Sequence, residues 1–98
     1  MIRNVVVGRV RDGISAEQVQ AALQAIRELR VEGVELDAVA GLDLGLREGN
    51  ATFAITVDLL DEEAYRRYDL DEEHNRIRRE LFAPIVESID RIQFRLPG

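Results

Sequence analysis

The sequence predicts an α+β fold: a four-stranded antiparallel sheet with its helices on one face. Three observations carry that prediction. Four apolar runs have the β-branched content and alternation of strands, and the stretches between the outer pairs have the three-to-four spacing of amphipathic helices. The elements also come in the order βαββαβ, which right-handed crossovers close into one sheet. At 98 residues, without an internal repeat or linker, the chain reads as a single domain spanning 1–98.

Ile2–Val10 is the first strand, dense in valine on both of its faces, so both faces are expected to be covered. Asp12-Gly13 turns the chain, and Ser15-Ala-Glu-Gln18 has capping-box spacing. The helix that follows gathers Val19, Ala22, Leu23 and Ile26 on one side and is expected to stop near Leu29–Arg30, ahead of Gly33. Glu35–Leu44 alternates, with Leu36, Ala38, Ala40, Leu42 and Leu44 on one face. Gly45–Asn50 is a turn cluster, and Ala51–Leu59 returns as a strand with Phe53, Ile55, Val57 and Leu59 on one side and Thr52, Ala54, Thr56 and Asp58 on the other. Together the two read as a hairpin.

Asp61 caps a short helix, Glu62–Tyr68, broken around Asp69-Leu70; Asp71 caps a second that begins Glu72-Glu73-His74. Its apolar stripe is Ile77, Leu81 and Ile85, and Pro84 should kink or end it. Glu62–Arg66 and Glu72–Arg76 are spaced as surface ion pairs. Ser88–Leu96 is the fourth strand. The result is a ferredoxin-like sheet whose second face, lined by valines and the small row Thr52, Ala54, Thr56, has no element left to cover it. A second copy, packed sheet to sheet, is the economical cover and predicts a homodimer.

Composition narrows function. A net charge of −6 argues against nucleic acid as a partner, because arginines alternate with acids instead of lining one face. All basic residues are arginine, so no lysine can form a Schiff base, and no cysteine can serve as nucleophile, disulfide or metal ligand. No stretch is long and apolar enough to span a membrane, and the N-terminus is too charged for a secretory signal, which predicts a cytoplasmic protein. No cofactor or metal is implied. A single histidine among carboxylates makes a poor metal set, and D-L-D-E-E lacks the glycine and ligand spacing of a calcium loop. Ser15 reads as a cap and Ser88 as a loop-to-strand residue, neither with a base assigned to it.

That histidine, His74, shares a helical face with Ile77 and Leu81, so it points inward. It is either a partly buried residue with one hydrogen bond or a working acid/base. The helix dipole disfavours its charged form while Asp71, Glu72 and Glu73 favour it, which leaves the direction of its pKa open.

The stretches MIRNVVV, YDLDEEHNRI and FAPIVESIDRIQF resemble the stress-responsive A/B-barrel (Dabb) family, over essentially the whole chain. The resemblance implies a dimeric α+β barrel. Family members usually carry a histidine just inside the first strand and a His-Pro-x-His opening the last helix. Here those positions read Asn4 and Asp71-Glu72-Glu73-His74. In the polyketide cyclases of the olivetolic acid cyclase type, a tyrosine precedes the catalytic histidine by six residues, as Tyr68 precedes His74; Tyr65 competes for the same role.

Two readings follow. One is a small-molecule-binding, non-catalytic dimer with a pocket bounded by Asn4, Val6, Thr56, Tyr68, His74 and Ile77. The alternative is a cofactor-free enzyme acting on a carbonyl or polyketide-like substrate, with His74 as general base and Tyr68 stabilising the enolate.

Overall fold

The computed structural model describes all 98 residues, Met1–Gly98. The elements are β1 (Ile2–Val10), α1 (Ala16–Glu28), β2 (Leu36–Leu42), β3 (Phe53–Leu59), α2 (Glu62–Leu70), α3 (Glu72–Ile77) and β4 (Val86–Arg95). A π-helical turn, Arg78–Phe82, follows α3 without a break. The strands pair antiparallel in the order β2-β3-β1-β4, a ferredoxin-like sheet.

Register decides what faces what. The row Ile55, Val6, Arg91 crosses β3, β1 and β4 on the helix side, and Val57, Asn4, Gln93 runs beside it. Phe53, Ile55, Val57 and Leu59 are buried there against Val19, Ala22, Leu23 and Ile26 of α1 and against Tyr68, Ile77, Phe82 and Ile85. Burial of each such side chain contributes roughly 1.5–3 kcal/mol, which is what holds the helices to the sheet. The capping box starts α1: Gln18 N–H donates to Ser15 Oγ at 3.2 Å, and Ser15 N–H donates to Gln18 Oε1 at 3.1 Å. Gly8 leaves room for the far end of the Phe53 ring to press on β1, and that ring meets Phe82 with centroids 5.7 Å apart.

The opposite face is uncovered within the chain. The row Val39, Thr56, Val5, Ile92 crosses all four strands on that side, with Val39 61% and Ile92 60% exposed. Arg3 makes a bidentate ion pair with Asp58 at one margin, at 2.7 and 2.9 Å.

Several boundaries move from their sequence expectations. β2 ends at Leu42 because Asp43 turns the chain instead: Gly45 N–H and Asn50 Nδ2 both donate to its carboxylate, and Leu44 is left exposed. α2 runs on through Leu70, so the break falls at Asp71. Arg76 pairs with Glu73 and Glu80, not Glu72, while the Glu62–Arg66 pair forms at 3.9 Å. The π turn inserts one residue into the helical phase, with Ala83 N–H reaching back to Arg78 O at 2.8 Å. Phe82 therefore takes the buried position, and Leu81 is only half-buried.

Candidate functional site

Asp71 builds the site. It ends α2 and caps α3, accepting from the His74 N–H at 3.0 Å. The sharp joint turns α3 back so that His74 Nδ1 lies 2.9 Å from the Tyr68 carbonyl oxygen. A carbonyl only accepts, so in the neutral ring Nδ1 carries the proton and Nε2 keeps the lone pair. The imidazole also stacks on the Tyr68 phenol, centroids 4.0 Å apart and planes 27° apart. His74 and Tyr68 are 4% and 3% exposed.

Burial settles the electrostatics left open by the sequence. Loss of hydration, helped by the Arg78 charge, lowers the His74 pKa to about 4; the bond to the Tyr68 carbonyl and the charges of Asp69 and Asp71 oppose that and lose. Burial likewise raises the Tyr68 phenol to about 12, with Arg78 and Arg91 pulling the other way. At neutral pH the pair is a neutral imidazole beside a protonated phenol.

Both rings line a cavity of about 50 Å³ with Asn4, Val6, Ile26, Ile55, Arg78, Phe82, Ile89 and Arg91. That holds a few waters at ~10–15 Å³ each and falls well below the ~300–1,000 Å³ of drug-sized sites. His74 Nε2 and Tyr68 Oη have no hydrogen-bond partner in the chain, yet no polar side-chain atom is sealed away unsatisfied. Both atoms therefore open onto solvent-reachable space. Asn4 Oδ1 accepts from Gln93 Nε2 at 2.7 Å.

Four of the six residues expected to bound a pocket come together: Asn4, Val6, Tyr68 and His74. Thr56 does not, because Phe53, Ile55 and Val57 claim the helix side of β3 and turn Thr56 to the uncovered face. Ile77 is buried in the core and does not line the cavity. Tyr65 packs at a tilt of 46°, its ring centroid 6.4 Å from that of Tyr68, and is not part of the wall. Sequence reasoning missed Ile26, Ile55, Arg78, Phe82, Ile89 and Arg91. Ile26 and Ile55 carried a signal, as members of the predicted apolar faces. Ile89 and Arg91 depend on β1–β4 register, and Phe82 on the π turn. A larger hollow, about 640 Å³, lies between the end of α1 and β2, and it contains neither histidine nor tyrosine.

Known proteins share this frame. A dimeric ferredoxin-like protein of unknown function from Thermobifida fusca is 29% identical, covering 97% of this chain and 90% of its own, at a TM-score of 0.86. A Dabb family protein with a ferredoxin-like fold from Mesorhizobium loti is 20% identical, over 99% of this chain and 97% of its own, at 0.78. The hydroxynitrile lyase of Passiflora edulis is 18% identical, over 98% and 93%, at 0.81. The last two likenesses show the fold alone. Among curated proteins, none matches this chain. The stress-responsive A/B barrel domain matches residues 2–95, nearly the whole chain, and the protein belongs to that family.

Proposed function

We propose that this protein is a homodimer that binds a small hydroxyl-bearing molecule against His74 and Tyr68. The carrying observation is the pair of unpartnered atoms, Nε2 and Oη, on two stacked rings that line one cavity, in an interior whose other buried polar groups are satisfied. Nε2 needs a donor and Oη an acceptor, and a hydroxyl offers both in one group. A ligand-observed NMR screen of small alcohols and hydroxy compounds tests this. Binders of the wild type should lose about tenfold in affinity in His74→Ala, the worth of one hydrogen bond. Equal binding by the variant would remove His74 from the site.

The homodimer rests on the uncovered face, crossed from edge to edge by Val39, Thr56, Val5 and Ile92 with exposed Val7 and Phe94 beside them, and on the dimers formed by the ferredoxin-like protein from Thermobifida fusca. Ile92→Asp would bury an unpaired charge there and is expected to weaken dimerisation by at least about 100-fold. Sedimentation velocity at micromolar concentration reads this directly. A wild-type monomer would sink the barrel.

One observation favours a second reading, a cofactor-free carbonyl enzyme of the aldol-cyclase type. With Nδ1 tied to the Tyr68 carbonyl, Nε2 is a neutral base beside a phenol that can hold an enolate oxygen. The low pKa of about 4 opposes it, since so weak a base has little driving force for removing a carbon-bound proton. Solvent-deuterium exchange into acetoacetate, present in the wild type and absent in His74→Ala, would reverse that preference.

A further inference from the structure

β4 reaches the cavity through Ile89 and Arg91, and Arg91 begins a polar row on the helix side of the strand, Arg91, Gln93 and Arg95, facing Val6, Asn4 and Ile2 of β1. Two of the three are committed. Gln93 donates to Asn4 at 2.7 Å, and Arg95 pairs with Glu62. Arg78, the other cation in the cavity wall, is held by Asp69 at 2.8 Å and Asn75 at 3.1 Å. Arg91 has no ion-pair or hydrogen-bond partner in the chain, although carboxylates outnumber cations overall. The wall thus carries one uncompensated positive charge, close enough to Tyr68 to favour ionisation of its phenol.

We infer that the cavity takes a short hydroxy monocarboxylate, its carboxylate on the Arg91 guanidinium and its hydroxyl against His74 Nε2 and Tyr68 Oη. This rests on the binding function proposed above and names its substrate class. Charge sets the valence: with Arg78 neutralised by Asp69, a dianion would leave one negative charge against Val6 and Ile89. The planar fork of a guanidinium matches a carboxylate through two parallel hydrogen bonds, and no cluster of backbone N–H groups is needed. About 50 Å³ limits the chain to a few heavy atoms.

Glycolate and its neutral, nearly isosteric amide, glycolamide, separate the possibilities. Titration of the isotope-labelled wild type by NMR should show glycolate binding at least about tenfold tighter than glycolamide, a preference that weakens with salt. Arg91→Gln should bring glycolate down to the affinity of glycolamide, and Arg91→Lys should recover part of the difference. Arg91 is exposed, so these variants should fold. If the wild type binds both compounds equally, or Arg91→Gln keeps the preference, the carboxylate assignment is wrong while hydroxyl binding at His74 stands. If neither compound shifts resonances of the cavity residues, hydroxyl binding at this site fails and the carboxylate assignment falls with it.

Discussion

Gly8→Ala is expected to lower folding stability by about 2–3 kcal/mol, or roughly 10–20 °C in Tm for a domain of this size. A β-carbon at Gly8 would stand 2.2 Å from Phe53 Cζ and 2.5 Å from Cε2. The ring cannot simply swing away, because Phe53 is buried and packs on Phe82. Movement there would propagate to the cavity wall, which Phe82 helps form. Gly41→Ala is the matched control: its β-carbon would meet nothing within 4 Å, so the change should be neutral or slightly stabilising through the unfolded chain. Thermal or urea denaturation of the two variants compares them directly. Equal midpoints would mean that the Phe53 ring does not rest on Gly8.

The second large effect is a loss of stability in mild acid. His74 has an ordinary pKa near 6.5 when unfolded and about 4 when folded. As pH falls between those values the unfolded chain takes up a proton that the folded protein refuses, so stability declines across that window and is intact above it. Allowing for water at the open edge of the ring, the loss is on the order of 2–3 kcal/mol. The groups around the ring that set it are Arg78, Asp69, Asp71 and the Tyr68 carbonyl. Asp58, held below its ordinary pKa chiefly by its hydrogen bond to Arg3, acts in a separate and lower window. Urea midpoints measured from pH 7 to 4 should fall for the wild type and stay nearly level for His74→Phe. A parallel decline in both would assign the acid sensitivity elsewhere.

Much of this was legible in the sequence. Local signals that need no partner element came through: the Ser15–Gln18 box, the buried stripe of α1, the alternation of β3, and Asp71 as the joint before His74. Family resemblance directed attention to Tyr68 and His74, and the rings do stack. What failed to show were relations across the chain. Arg91 reaches the cavity only because β4 lies beside β1 in one particular register. Period-two alternation puts Thr56 on the uncovered face, where it lies, so its place in the expected pocket beside Tyr68 and His74 conflicts with its own strand pattern. The pKa of His74 follows from burial by several elements at once, whereas sequence exposes only its charged neighbours.

The π turn at Arg78–Phe82 bears on how relatives should be compared. A relative with an ordinary α-helix here would be one residue shorter, and its alignment to this chain would need a single gap between α3 and β4. If that gap is placed by similarity of letters, Leu81 rather than Phe82 can be matched to the relative's wall residue, and the inferred linings then differ even where the two cavities agree. Position in space, not column number, is the safe basis for transferring a residue's role across this segment.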